Sequence, residues 1–255
     1  MIMHREDLNT FFSDLLTPAS FNDYCPNGLQ IEGAEQINKI AFAVSATRDS
    51  IEQAVKLQAD ALVVHHGLFW KFHGSRTLTG SFAKRVFPLI HNNMNLFAYH
   101  LPLDAHPEIG NAAVLGQQID CQQQTAFGDY KGSPTGIKGV LESPISPKEL
   151  RLKLQTVLNH HIILASHDEN QLISTVGIIT GGANSDWVLA QNAGLDAYIT
   201  GEISEHDWHE SQENHIHMFA GGHAATEKGG ILSLMKRVQD QCKLECVFID
   251  SENPA

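Results

Sequence analysis

Two histidines stand side by side at the end of an apolar run, Ala61-Leu62-Val63-Val64-His65-His66-Gly67. Imidazole is the commonest protein ligand for transition metals, so the pair asks for further donors. Three other segments supply them. Tyr99-His100-Leu101-Pro102-Leu103-Asp104 offers an imidazole and a carboxylate on a turn stiffened by proline. Thr200-Gly201-Glu202 offers a second carboxylate, with Glu205, His206 and His209 just beyond. In Gly221-Gly222-His223-Ala224-Ala225-Thr226-Glu227, the histidine and the glutamate are four apart and share one helix face.

A mixed imidazole and carboxylate set suits Zn, Mn, Fe, Ni or Co better than Ca or Mg, which prefer oxygen alone. Five ligands, His65, His66, Asp104, His223 and Glu227, exceed what one catalytic zinc needs. They fit two divalent metal ions sharing a carboxylate. Cations roughly 3.5–4 Å apart lower the pKa of a bridging water and clamp both oxygens of a displacement. The expected chemistry is hydrolysis of a small polar substrate by a hydroxide bridging the metals. His100, Glu202 and His206 are candidates for a proton shuttle or for outer positions that orient the ligands. The alternative is a non-catalytic scaffold in which metals stabilise the cleft and the protein recruits a partner. Exposed Trp70, Phe72 and Trp208 would suit such an interface.

The elements that must present these residues alternate between strand and helix patterns, which indicates an α/β fold. An opening helix over 4–16 places Leu8, Phe11, Phe12, Leu15 and Leu16 at helical spacing. A strand over 39–45 precedes a helix capped near Thr47, then the strand ending at His65 and His66. The second half repeats the plan. Strands are expected over 137–141, 176–180 and 195–200, with helix starts at Ser146-Pro147 and at Asn184 or Ser185.

Laying Asp60-Ala61 on Asp196-Ala197 aligns the two central segments without a gap and sets His66 against Glu202. Leu96-Phe97-Ala98 then resembles Met218-Phe219-Ala220. Two similar α/β lobes from a duplicated βαβ unit are expected, over 1–125 and 126–255, with the metal site in the cleft between them. Ligands of open α/β sheets gather at the carboxyl ends of the strands, where all the candidates lie.

Bulk properties narrow the partners. A net charge of −12 disfavours nucleic acid, because phosphate neutralisation needs clustered Lys and Arg. The amino terminus is charged and lacks the apolar core of a secretory signal, and no stretch approaches about 18 apolar residues, so a cytoplasmic protein without a membrane span is expected. Four cysteines form no Cys-x-x-Cys pair and are expected to be reduced thiols. There is no Walker loop and no Gly-x-Gly-x-x-Gly turn before a helix. Gly181-Gly182-Ala183-Asn184 could hold an anion at a helix start, though a tight turn is the commoner use of such glycines.

Taken in order, Tyr24-Cys25-Pro26-Asn27-Gly28-Leu29-Gln30, Val63-Val64-His65-His66-Gly67, His100-Leu101-Pro102-Leu103-Asp104, Thr180-Gly181-Gly182-Ala183, Thr200-Gly201-Glu202 and the segment from Gly221 to Glu227 give the chain a family likeness over about residues 4 to 250. It resembles the NIF-three-like dinuclear-metal proteins, also labelled GTP cyclohydrolase type-two homologs. Lacking room for the central domain of the longer members, it looks like the short bacterial form. The resemblance implies two related α/β lobes, a pair of divalent metals on His65, His66, Asp104, His223 and Glu227, and a ring-shaped homohexamer built as a trimer of dimers. Cyclohydrolase activity comes only with the family label.

Overall fold

A computed structural model describes residues 2–255. The chain forms two compact units, Met1–Leu103 with Ile231–Glu252, and Asp104–Gly230 with Asn253–Ala255. The first begins with β1 (Met3–His4), α1 (Arg5–Leu16), β2 (Gly28–Ile31), β3 (Gln36–Ile37) and β4 (Lys39–Ser45). It continues through α2 (Arg48–Lys56), β5 (Ala61–His66), α3 (Gly80–His91) and β6 (Asn95–Ala98) to α4 (Leu101–Asp104). The second holds α5 (Asn111–Gln118), β7 (Cys121–Phe127), β8 (Gly136–Ile145), α6 (Pro147–Leu158), β9 (Ile163–Ala165) and β10 (Ile173–Ile178). After these come α7 (Trp187–Asn192), β11 (Ala197–Thr200), α8 (Glu205–Glu213) and β12 (His217–Ala220). The unit boundary falls within α9 (His223–Cys242), and β13 (Glu245–Phe248) belongs to the first unit.

The units therefore divide elsewhere than between 125 and 126, a cut that would fall inside β7. The first is discontinuous because β13 lies parallel to β4, pairing Cys246 with Ile40 and Phe248 with Phe42. Nothing local in the sequence announces so distant a pairing.

The sheet of the first unit has the order β13-β4-β5-β6-β2, with only β2 antiparallel to its neighbour. Its central strands are apolar at nearly every position, and successive strand residues face opposite sides, so both faces need cover. On one face Ala41, Ala43, Leu62, Val64 and Leu96 pack with Ile51 and Ala54 of α2 and with Phe82, Val86 and Leu89 of α3. On the other, Phe12 of α1 sits 5.6 Å from the Phe97 ring and 5.1 Å from that of Tyr99. Burying each such side chain fully is worth about 1.5–3 kcal/mol. α2 starts as its sequence predicts. The Thr47 side chain accepts from the Ser50 amide at 3.1 Å and the Ser50 hydroxyl accepts from the Thr47 amide at 2.9 Å.

The sheet of the second unit has the order β7-β8-β10-β11-β12-β9. β10, β11 and β12 are parallel, with β8 and β9 antiparallel to them on either side. Alternation again divides the core. Ala197 and Ile199 pack with Leu115 of α5 and with Leu150 and Leu154 of α6, while Tyr198 and Met218 face Trp187 and Ala190 of α7. The run β10-β11-β12-β9 thus repeats β4-β5-β6-β2 in order and direction.

Among the described residues no helix is long and apolar enough to cross a membrane. All four cysteines are free. Burial pushes the Cys25 and Cys246 thiols up to about 12 and that of Cys121 to about 11, which keeps these side chains protonated at neutral pH.

Candidate metal centre

In the first unit three imidazoles gather at the carboxyl ends of neighbouring strands. Adjacent residues of a strand point to opposite faces, but β5 ends at His66 and turns at Gly67, which lets both histidines serve one place. Their ring centroids are 4.5 Å apart, and those of His65 and His100 are 5.1 Å apart. One nitrogen from each of His65, His66 and His100 lies within 4.8 Å of the others, close enough to hold a metal ion.

The partners of these rings fix which nitrogen faces inward. His65 is fully buried, and its Nδ1 lies 3.0 Å from the Tyr99 carbonyl oxygen. A carbonyl only accepts, so Nδ1 carries the proton and Nε2 the lone pair. Nδ1 of His66 lies 2.9 Å from the Ser45 hydroxyl, its cross-strand neighbour. Nδ1 of His100 donates to the Asp23 carboxylate, 3.0 Å from Oδ1 and 3.2 Å from Oδ2. Fixing one ring nitrogen with an outer acceptor so that the other meets a cation is the usual arrangement of a metal-binding histidine.

Asp23 is itself buried and also accepts from the amides of Cys25 and Leu101 and from the Asn27 side chain. Burial alone would raise its pKa. The hydrogen bond and charge of His100, with those from Asn27 and Leu101, outweigh that and hold the carboxyl at about 2. Asn27 closes the group by accepting from the His100 amide at 2.7 Å.

The second unit presents imidazole and carboxylate together. His223 begins α9 and Glu227 lies one turn on, with Nε2 3.3 Å from Glu227 Oε1. Nδ1 of His223 lies 2.6 Å from Oε1 of Glu202, two places beyond the end of β11. Burial disfavours the charged imidazole, but Glu227 and then Glu202 overcome it and raise the His223 pKa to about 9. Two close anions around one imidazole make a place for positive charge, which a divalent cation would satisfy.

Gly181 shapes this place. At φ +70 it adopts a conformation that favours glycine, and a Cβ there would collide with Glu227 Oε1. Asp104 is held from the same unit. Its Oδ1 accepts from the Asn111 amide group at 2.7 Å, and buried Asn111 accepts in turn from the Gly230 amide of α9 at 3.1 Å.

Of the tentative outer residues, His100 and Glu202 thus lie beside candidate ligands. His206 does not. It is 58% exposed on α8, with Nε2 3.5 Å from Asp207 Oδ1, and it joins none of the groups able to share a cation among the described residues. Sequence reasoning missed Asp23, Ser45 and Asn111. Asp23 stands one place ahead of the recognised Tyr24-Cys25-Pro26-Asn27-Gly28 segment, where an acidic residue followed by a turn was available as a signal.

Fold and side chains together define an α/β protein with histidine and glutamate groups able to bind metal. The sequence profile of Duf34/NIF3 (NGG1p interacting factor 3) matches residues 3–254, and the chain belongs to that family. It is 40% identical over 255 residues to a Vibrio cholerae protein named GTP cyclohydrolase 1 type 2 homolog, covering 99% of this chain and all of that one. Among solved structures, a structural-genomics protein titled ybgI, of unknown function, superposes with a TM-score of 0.92 at 38% identity, covering 99% of this chain and all of that chain. TTHA1606 from Thermus thermophilus gives 0.89 at 27% identity, over 99% of this chain and all of its own.

Proposed function

We propose that the chain is a dinuclear metal-dependent hydrolase in which His65, His66, Asp104, His223 and Glu227 hold two divalent cations. The observation that carries this reading is the common posture of the imidazoles. His65, His66 and His223 each have Nδ1 engaged by an oxygen, which turns Nε2 to the ligating role. Glu227 and Asp104 add the oxygen donors that a mixed shell of Zn, Mn, Fe, Ni or Co accepts. When bound, the cations would polarise a substrate oxygen and make water a nucleophile at neutral pH.

The chain's own residues do the remaining work. Asp23 fixes the His100 ring through Nδ1, which leaves Nε2 to pass a proton to a leaving group. Glu202 orients His223 in the same way. Asn111 holds the Asp104 carboxylate in one rotamer. The substrate proposed is a small polar molecule of nucleotide or pterin type.

The test strips the protein of metal, reloads it with Mn or Zn, and follows bound metal and turnover on a panel of nucleotides and phosphoesters. Two metals per chain are expected, with turnover lost in Asp104→Ala. Failure of the wild type to retain metal would end this reading. The homohexamer is proposed as well, supported by Leu152, Ile163 and Leu172 of the second unit, which are between 42% and 55% exposed. Native mass measurement should give six chains, and a monomer would end that part.

A further inference from the structure

Beside the histidines of the first unit stands an aromatic group with no part in holding metal. The Trp70 and Phe72 rings are stacked, with centroids 5.5 Å apart and planes 25° apart. Tyr24 leans on both, at 5.6 and 5.9 Å. Trp70 and Tyr24 in turn meet the edge of His100 at 5.1 and 5.0 Å, and Trp70 lies 5.9 Å from His66. The group is therefore continuous with the candidate ligands. Phe72 is nonetheless 67% exposed.

Its position is fixed rather than left to loop motion. The indole N–H of Trp70 donates to the Gly67 carbonyl at 3.1 Å, so its polar atom is tied down, and with Phe72 stacked on the indole the exposed Phe72 ring is the part left for contact. The Lys71 amide donates to the Tyr24 carbonyl at 2.8 Å, and the Lys71 ammonium donates to the Asp23 carbonyl. Gln30 pins the preceding turn by accepting from the Leu68 amide and donating to the Pro26 carbonyl.

The charge nearby selects that partner. In a chain of net charge −12, the run Trp70-Lys71-Phe72-His73-Gly74-Ser75-Arg76 carries lysine, histidine and arginine and no acid. Arg76 lies against the neighbouring surface, with its guanidinium 3.9 Å over the Phe82 ring and Nη1 3.1 Å from His73. Aromatic faces interleaved with cations accept a flat heteroaromatic ring joined to an anion.

We infer that Trp70 and Phe72 form a stacking platform for the base of a mononucleotide, with His73 and Arg76 receiving its phosphate. The inference rests on the hydrolase reading for its substrate but not for its measurement. The platform sets which ring is presented, and its contacts with His66 and His100 place that ring beside the candidate ligands.

The experiment titrates full-length protein, metal-free and Mn-loaded, with guanosine monophosphate, guanosine and ribose 5-phosphate by calorimetry, with metal content followed separately. Guanosine monophosphate should bind best, and ribose 5-phosphate at least about tenfold more weakly, the usual loss for one stacked base. Phe72→Ala and Trp70→Leu should each weaken guanosine monophosphate by about tenfold with metal content unchanged. Arg76→Ala should weaken the monophosphate and leave guanosine as it was. Phe72→Ala changes an exposed residue, so it tests the idea even where Trp70→Leu impairs folding.

Equal binding of guanosine monophosphate and ribose 5-phosphate overturns the platform. So does wild-type affinity in Phe72→Ala, a change of oligomer mass in that variant, or tighter, Phe72-dependent binding of a thymidine decamer. Metal bound without ring binding sinks only this inference; Phe72-dependent ring binding without metal sinks only the hydrolase reading.

Discussion

The parallel strands of the two units are one scaffold carrying two chemistries. β4-β5-β6-β2 and β10-β11-β12-β9 share order and direction, and each has an aspartate just before its second parallel strand. Oδ2 of Asp60 accepts from the amides of Asn38 and Lys39, at 2.7 and 3.0 Å. Oδ2 of Asp196 accepts from the amides of Ser174 and Thr175, at 2.9 and 2.8 Å. The ends that hold the sheets together match, while the opposite ends diverge. His65-His66 closes one strand and Gly201-Glu202 follows its counterpart. Backbone architecture was kept where it does structural work, and residue type changed where the strands present a ligand.

A second divergence lies in the cores. Asn95 opens β6 and is satisfied by the carbonyls of Ala34 and Asp60 and the amide of Gly33. His217 occupies the matching place in β12, paired with Ala197 as Asn95 is with Ala61. It is fully buried, its Nδ1 meets the Ser166 hydroxyl, and its ring stacks on His167 at 4.4 Å. Burial and then the like charge of His167 lower its pKa to about 4, against smaller opposing effects of Asp196 and Asp168.

The largest expected effect follows from that difference. Above pH 6.5 His217 is neutral whether folded or not, so it makes no pH-dependent contribution. Between about 6.5 and 4 the unfolded chain takes up the proton that the folded chain refuses. Stability then falls with pH by about 3 kcal/mol over that window. Urea unfolding from pH 7 to 4 measures it, and His217→Asn, which installs the first unit's residue, should flatten this part of the slope. An unchanged slope would break the contrast.

Next comes the question of whether the outer carboxylates play equal parts in the two units. Glu202→Gln should weaken metal binding by about 10- to 100-fold, as loss of an outer partner of a ligating histidine does, whereas Asp23→Asn, which frees the proposed proton carrier His100, should keep the metal and lower turnover. Competition with a chromophoric chelator reads this directly. An equal loss of metal in Asp23→Asn would show that His100 ligates metal and does not carry the proton.

The smallest effect tests the shared scaffold. Asp60→Ala and Asp196→Ala should each cost about 1.5 kcal/mol, the lower range for hydrogen bonds to a charged group. Thermal or urea unfolding compares them, and widely unequal losses would show that the two sheets do not use the aspartate alike.

Much of this was written locally. The strand at 39–45 and the helix start at Thr47 come from an apolar run and a hydroxyl cap, signals carried within a few residues. β10 was expected over 176–180 but spans Ile173–Ile178. Its early part is tied to Asp196 by the Ser174 and Thr175 amides and the Thr175 hydroxyl, contacts that no periodicity records. The helix expected to start at Asn184 or Ser185 begins as a short 3-10 turn, with α7 following from Trp187, because the Asn184 side chain is drawn to Ser204 and Asp207. The candidate ligands His65 and His66 stood out because they close an apolar strand, and His223 because it opens a helix. Asp23 did not, since its meaning depends on His100, 77 residues away.

The return of β13 to β4 sets an order on the birth of the molecule. Every strand of the second sheet lies between residues 121 and 220, whereas the first sheet lacks an edge until residues 245–248 are made. A ribosome delivers the chain from its amino end, so the second sheet has all its strands while β4 still shows an open apolar flank. An open strand edge invites pairing with other chains. The nascent protein is therefore most vulnerable late, in the interval before its last strand emerges, and truncations just short of residue 245 should aggregate during synthesis although they carry every candidate metal ligand.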